Sequence, residues 1–359
     1  MTSFDHVTLA QRVRFGTGGA TQALIDEVKE SGAQRVMVLA STRDTDVVDA
    51  VVGGIDVALR WDEIIAHVPI ELADRATAAA TAAGADLLVC VGGGSTIGLA
   101  KAIAKNTHIP IVAVPTTYAG SESTNVWGLT ESARKTTGID NAVLPRTVIY
   151  DADLTLSMPV DLSIASGLNA VAHCVDSLWA PRADPITRMM AAEGLRLLAD
   201  GLPAVKEDPN GIPGREAALA GTYLSAVAFA DAGSALHHKI CHALGGTYAM
   251  PHAQTHAVVL PHVLAFNAPA APDAASRIAG ALNADDAVAG LNALRARLDA
   301  PKALRDYGFH EADIPEAARI ILPAVPSSNP RPVTHADLEQ ILRDAFAGAT
   351  PTATKDCTQ

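Results

Sequence analysis

Half of the chain's histidines crowd into one short stretch, six of twelve lying between His237 and His262. His238 and His242 are four residues apart, as are His252 and His256 just after Pro251, and upstream Asn169 and His173 repeat the spacing. On a helix, positions i and i+4 share a face, so each pair projects its side chains together. Imidazoles gathered this way suit two kinds of chemistry, holding a metal ion or moving a proton near neutral pH. Isolated histidines such as His6, His67, His108, His310 and His335 read instead as packed or surface residues.

A second constellation suits a phosphate. A strand ending Leu87-Leu88-Val89-Cys90-Val91 runs into Gly92-Gly93-Gly94-Ser95-Thr96, and a helical pattern follows to Lys105. Three glycines let the backbone turn at positive φ and approach a ligand closely. The helix N-terminus behind them offers N–H groups and the positive end of its dipole to an anion. Ser95 or Thr96 is expected to cap that helix and touch a phosphate oxygen. The segment Pro115 to Glu122, with Thr116, Thr117 and Tyr118, follows the next strand and so emerges at the same carboxyl edge of a sheet. A polar loop there suits the ribose and nicotinamide amide of a dinucleotide. The glycines are not GxGxxG and follow a middle strand, which points to a dinucleotide fold other than the Rossmann type. After the second strand, Ser41 stands where an acidic residue would accept the ribose 2′-hydroxyl and repel a 2′-phosphate, with Arg43 close by. Loose discrimination between NADH and NADPH is the expectation.

The elements that must position these residues fall into two groups. Buried strands are expected at Arg35–Ala40, Asp86–Val91, Ile109–Val114 and Thr147–Tyr150, with helices at Thr21–Glu30, Glu71–Ala83 and Ser95–Lys105 between them. Strand and helix in alternation give a mostly parallel α/β sheet covered on both faces. Strand signals stop after Asp153, and Asp161–Trp179, Asp184–Asp200, Arg215–Phe229 and Ala235–Leu244 read as helices. Pro159, Gly201-Leu202-Pro203 and Gly245-Gly246 supply starts and stops. The expected division is a dinucleotide-binding α/β domain over residues 1–157 and an all-helical catalytic domain over 158–359. Thr334 is the expected cap of a last helix, and the polar tail after Ala349 is expected to be disordered.

Composition narrows the function class. At 359 residues the chain has room for two cores, and 49% hydrophobic with 18% charged residues fits a packed enzyme. A net charge of −12 argues against nucleic acid or an anionic membrane as partner. Neither a signal-like N-terminal segment nor an apolar run of ~18 residues is present. Four cysteines without CxxC pairing fit reduced thiols in the cytoplasm.

Together Gly92-Gly93-Gly94-Ser95, Pro115-Thr116-Thr117, Gly167-Leu168-Asn169-Ala170-Val171-Ala172-His173 and His238-x3-His242-x9-His252 resemble the iron-containing alcohol dehydrogenase superfamily in order and spacing. The resemblance spans roughly residues 10 to 345. It implies a dehydroquinate-synthase-like fold, a cleft between two domains, a homodimer, and a divalent metal held by an aspartate and three histidines. Residue by residue, His173, His238 and His252 match metal ligands, and His242 matches a histidine beside the nicotinamide. Lys135 matches a lysine near the cofactor ribose. Two positions depart from the pattern: Asn169 replaces the ligand aspartate, and Gly98 replaces the aspartate of GGGSxxD. An amide on a hard divalent cation forfeits a full charge. These departures, with GGGSTIGLAK, TTYAGSE, Arg134-Lys135-Thr136-Thr137 and ALHHKICHALGG, are similar to the maleylacetate reductase branch, whose members generally work without a catalytic metal.

That branch implies hydride transfer from NADH or NADPH to the C=C bond of a small dicarboxylate, in the breakdown of aromatic compounds, with no metal. Hydrogen-bond donors must then hold the developing oxyanion. His173, His238 and His252, with Asn169 beside them, are the expected donors at former ligand positions, and His242, with Tyr118, is the expected proton source. His237, Lys239 and Arg134 are expected to offset the substrate carboxylates. Gly92, Gly93, Gly94, Ser95, Thr96, Thr116, Thr117, Ser41 and Lys135 are the expected cofactor contacts. The residues also leave open a metal-dependent alcohol dehydrogenase with Asn169 as a weaker ligand, and a non-catalytic NAD-binding or metal-storing module.

Overall fold

The structure, a computed structural model, describes residues 3–131 and 134–352, with the side chains of Asp44, Arg134 and Lys135 outside that description. It divides into two compact units, Thr8–Pro159 and Val160–Gln359, the latter joined by the residues up to Val7.

The first unit runs β1 (Arg12–Phe15), α1 (Ala20–Ser31), β2 (Val36–Leu39), α2 (Thr45–Val52), β3 (Val57–Trp61), α3 (Ile70–Ala82), β4 (Leu87–Gly92), α4 (Gly94–Thr107), β5 (Ile111–Pro115), β6 (Val126–Glu131), β7 (Arg134–Ile139) and β8 (Thr147–Tyr150). Six strands form one parallel sheet in the order β1-β8-β5-β4-β2-β3. Successive side chains of a strand point to opposite faces. Met37, Leu39, Leu88, Cys90, Ile111 and Ala113 accordingly pack with the alanine-rich faces of α3 and α4. Their neighbours Val36, Val38, Leu87, Val89, Val112 and Val114 pack with Leu24 of α1 and Val48 of α2. Burial on both faces is why these central strands read as continuous apolar runs.

Two strands that the sequence reading lacks, β1 and β3, are the two edges of the sheet. Their sequences RVRF and VALRW carry arginines, and neither strand is fully buried, as expected of edges blunted by charge. Also unanticipated is the antiparallel hairpin β6–β7, in register from Val126 opposite Ile139 to Glu131 opposite Arg134. Its apolar residues Val126, Trp127, Leu129 and Ile139 are interrupted by glycine, threonine and charge, with no apolar run to announce a strand.

The second unit is helical among its described residues: α5 (Val160–Ser177), α6 (Pro185–Glu207), α7 (Ile212–Ala232), α8 (Leu236–Tyr248), α9 (His252–Asn267), α10 (Pro272–Ala281), α11 (Ala287–Arg297), α12 (Ile314–Ile321) and α13 (His335–Ala347). From Ser163 to Ser177 every residue of α5 is buried, as expected of a helix enclosed on all sides; α6, α7, α8 and α9 pack against it.

Two helix ends are corrected. Gly201-Leu202-Pro203 does not stop α6, which continues to Glu207. Gly201 is there for contact: a Cβ on it would lie 2.8 Å from Ala218 N and Gly214 O of α7. Likewise α8 passes Gly245-Gly246 and ends after Tyr248, with Ala249 in the left-handed conformation at φ 53°. Thr334 caps α13 through a capping box with Asp337. Of the tail expected to be disordered, 353–359 lie outside the described residues. His6 is a packed residue, its Nδ1 2.8 Å from the Asp184 carboxylate. No described helix is long and apolar enough to cross a membrane.

Candidate functional site

In the α/β unit the glycine loop sits at the carboxyl end of β4. Gly92 has φ +150°, and a Cβ on it would meet Thr96 Oγ1 at 2.6 Å, so the turn requires glycine. Helix α4 starts at Gly94 with Gly93 as N-cap and no side-chain cap bond. Ser95 and Thr96 therefore do not cap it, and its first N–H groups stay free of side chains, the condition an anion site needs. Pairing of Gly92 with Pro115 sets the following Thr116 and Thr117 beside the loop. A Cβ on Gly93 would come within 2.9 Å of Thr117 Cγ2. Thr117 Oγ1 is a buried atom without a hydrogen-bond partner. Tyr118, expected to assist His242, is fully buried in this unit.

Lys101 is a residue that sequence reasoning passed over. From α4 its Nζ donates to Thr124 O at 2.8 Å, Thr124 Oγ1 at 3.0 Å and Val126 O at 2.8 Å. It thereby ties α4 to the chain leaving the Thr116–Thr117 loop. Burial pushes its pKa down to about 7.

Ser41 caps the turn Thr42–Asp44 by accepting from Arg43 N and lines a cavity of about 160 Å³ at the ends of β2 and β3. Arg60, Trp61 and Asp62 line it from β3 and the residue beyond. The pocket thus holds one acid and one base, and the base comes from an edge strand that the sequence reading lacks. Arg134 and Lys135 open β7, and their side chains lie outside the described residues.

In the helical unit, α5, α7, α8 and α9 bring most of the expected histidines together. His173 and His238 stack at 5.1 Å between ring centroids, and Phe229 of α7 lies 4.7 Å from the first and 4.2 Å from the second. His242 lies one turn along α8 at 5.9 Å from His238 and is half-buried, as is Lys239, while His252 is exposed at the start of α9. Five buried polar atoms of this cluster have no hydrogen-bond partner: Asn169 Oδ1, His173 Nδ1, His237 Nδ1, His238 Nε2 and His256 Nε2. Native interiors rarely leave such atoms unpaired except where a ligand engages them. Burial pushes His173 down to about 4 and holds His238 well below its usual value, so both rings are neutral at pH 7.

His237, expected to offset a substrate carboxylate, has a histidine as its neighbour instead. It is fully buried, and its Nε2 lies 2.9 Å from His256 Nδ1. Burial, then its histidine neighbours, push it down to about 3, so it carries no charge for a substrate carboxylate. Cys241 Sγ approaches the same nitrogen at 3.7 Å. The 2.9 Å separation is that of a hydrogen bond; two nitrogens on a tetrahedral metal with bonds of ~2.05 Å would stand ~3.3 Å apart.

Asp176 is the functional residue most clearly missed. It lies on α5, fully buried, with its Oδ2 2.7 Å from His238 Nδ1. The HCVD spacing, three residues after His173, was the only signal available.

A divalent metal at the former ligand positions would be offered one amide and three imidazoles, with no anionic ligand. Among the described residues His173, His238 and His252 do not bring one nitrogen each within 4.8 Å of one another. The set does not fit a hard divalent cation.

Comparison with known proteins places this geometry. The model described as iron-containing alcohol dehydrogenase matches residues 10–152, and that of the Fe-containing alcohol dehydrogenase family, C-terminal, matches 163–346. A maleylacetate reductase of Sphingobium indicum is 44% identical over 351 residues, covering 97% of this chain and 99% of that protein. A crystal structure of an iron-containing alcohol dehydrogenase from Corynebacterium glutamicum is 57% identical with a TM-score of 0.96, covering 97% of this chain and 98% of that one. The maleylacetate reductase of Rhizobium sp. strain MTP-10005 is 41% identical with a TM-score of 0.92, covering 98% of this chain and 100% of that one. With both halves matched and relatives aligned almost end to end, the chain belongs to the iron-containing alcohol dehydrogenase family, alongside its maleylacetate reductases.

Proposed function

We propose that this protein is a cytoplasmic, homodimeric maleylacetate reductase that uses NADH or NADPH and needs no resident metal. The observation that supports the metal-free reading is the amide of Asn169, whose unpaired Oδ1 joins the unpaired His173 Nδ1 and His238 Nε2 without bringing a carboxylate to the set. The cofactor supplies a hydride, which adds to the alkene carbon β to the ketone. The π electrons move onto the ketone oxygen, and a proton then adds to the α carbon, giving 3-oxoadipate and the oxidised nicotinamide. In this reading the glycine loop and the free N–H groups of α4 hold the pyrophosphate, with Thr116, Thr117 and Lys135 along the rest of the cofactor. His173 donates from a neutral ring toward the enolate oxygen. His242, half-buried rather than sealed, delivers the proton. Lys239 and Arg134 are the cations available to the two carboxylates, with His252 at the exposed rim.

Turnover with maleylacetate is expected to survive exhaustive chelation unchanged, with metal content measured on the same sample. Loss of most activity, restored by iron or zinc, would overturn the metal-free mechanism. That result would favour a metal-dependent alcohol dehydrogenase, the reading supported by the description of the 57%-identical Corynebacterium relative.

Because the Ser41 pocket holds Arg60 as well as Asp62, both cofactors are expected to work with efficiencies within about two orders of magnitude, or about 2.7 kcal/mol. Ser41→Asp should selectively depress kcat/KM with NADPH, by repulsion of the 2′-phosphate. An unchanged NADPH/NADH ratio in that variant would move the ribose site elsewhere.

A further inference from the structure

The N-terminus of α8 has an unusual cap. Ala235 occupies the N-cap position and contributes no side-chain bond. The first turn is served instead by a carboxylate from another helix: Asp176 of α5 accepts Ala235 N at 3.0 Å and His238 N at 3.2 Å. The same oxygen lies 2.7 Å from His238 Nδ1, while the other accepts Trp179 Nε1 at 3.3 Å. Burial pushes the Asp176 carboxyl up. Opposing it are three donors that can only donate, two backbone amides and an indole, together with the positive end of a helix dipole and the facing ring nitrogen. Because Oδ2 already accepts two backbone amides, it faces His238 Nδ1 as an acceptor as well.

A carboxylate facing one nitrogen of an imidazole decides where the ring's hydrogen sits. With Oδ2 accepting, the hydrogen of the His238 ring lies on Nδ1, and Nε2 is left with a lone pair. Nε2 is the nitrogen that is buried without a partner, in a ring stacked on His173.

We propose that Asp176 is a positioning residue: it locks the orientation and tautomer of His238 so that Nε2 enters the reductive site as a hydrogen-bond acceptor, not as a donor. This rests on the reading of the site as a reductase centre and revises one part of it. The donor role expected of His238 passes to His173 and His242. His238 Nε2 accepts a hydrogen from a neighbouring donor or from the enol form of the substrate, and so fixes which way that hydrogen points.

The test uses ¹⁵N-histidine-labelled protein without substrate, with the His238 signals identified by their loss in His238→Gln. The wild type is expected to show His238 protonated at Nδ1 and bare at Nε2. Asp176→Asn keeps an oxygen for the three donors on Oδ2, so it should retain that tautomer and most of kcat. Asp176→Leu removes the acceptor. It should release the tautomer and lower kcat by about 10–100-fold, the usual cost of losing such a partner, with the KM for NADH little changed. Hydrogen at Nε2 of His238 in the wild type overturns the proposal, whether or not Asp176→Leu folds. So does a folded Asp176→Leu with wild-type tautomer and kcat. A wild type with the expected tautomer but no turnover of maleylacetate would instead overturn the reading of the site and leave the Asp176–His238 pairing standing.

Discussion

His242→Ala is expected to lower kcat by ~10²–10⁴-fold, the usual cost of removing a positioned proton donor, with a melting temperature close to wild type. The ring is half-buried at the second turn of α8, so truncation opens no sealed cavity and leaves the neighbouring core of Leu236, Ile240 and Leu244 intact. His173→Ala should cost ~10²–10³-fold, as for loss of one oxyanion donor, and His238→Ala at least ~100-fold. For His238→Ala the loss should fall on kcat rather than on nucleotide affinity, since its partners Asp176, His173 and Phe229 all belong to the helical unit. His237→Ala is the contrasting variant. Its ring is fully buried against His256 and Cys241, so lowered stability with a smaller loss of turnover per folded molecule is expected. His310 is exposed, and His310→Ala serves as the silent control. Thermal melts paired with single-turnover rates separate the two behaviours, and normal turnover in His242→Ala would remove the proposed proton source.

Acid should unfold the helical unit at a pH where most enzymes of this size are still stable. Burial pushes His173 and His262 down to about 4 and His237 to about 3, against 6.5 for the free side chain. The unfolded chain takes up these protons below pH 6.5, while the folded chain refuses them until about pH 4 or lower. Stability is therefore flat above 6.5 and falls with pH between 6.5 and 4. At pH 5 each ring costs about 2 kcal/mol and the three together about 6 kcal/mol, comparable with the whole stability of a typical domain. Urea midpoints at pH 7, 6 and 5 would display the slope. His262→Gln, on α9 and outside the proposed machinery, should remove about 2 kcal/mol of the difference between pH 7 and pH 5. Equal midpoints at pH 5 and pH 7 would mean that these rings are solvated in the folded protein.

The sequence announced what burial makes repetitive and what chemistry makes rare. The central strands of the sheet were visible because both faces are covered, whereas edge strands β1 and β3 and the hairpin β6–β7 were hidden by arginines, glycine and threonines. The helix end failed at Gly201 because a glycine can serve close packing as well as termination, and at Gly245-Gly246 because α8 runs on to Tyr248. Histidine spacing pointed to the grouping of His173, His238 and His242, since periodicity reports a shared face. It could not report Asp176, a single acid on α5 whose partner lies 62 residues on, nor that His237 turns toward His256 and away from charge. Pairings between helices depend on how the helices pack, which spacing within one helix does not encode.

Helices α6 and α7 meet backbone to backbone where Gly194 faces Gly221 and Gly201 faces Gly214, and only four residues separate the end of one helix from the start of the other. A loop that short costs little entropy to close, so this helical hairpin can assemble early in folding, ahead of the contacts that α5 and α9 must make across long stretches of chain. The contact also constrains how the sequence can drift. Where side chains pack on side chains, a larger residue on one helix can be matched by a smaller one on the other. Here the opposing atoms include amide nitrogens and carbonyl oxygens that every residue carries, and no compensating exchange exists. These four positions are therefore where substitution is least forgiven, and at Gly194, which packs against Cys174 beside His173, selection for folding also bears on the site.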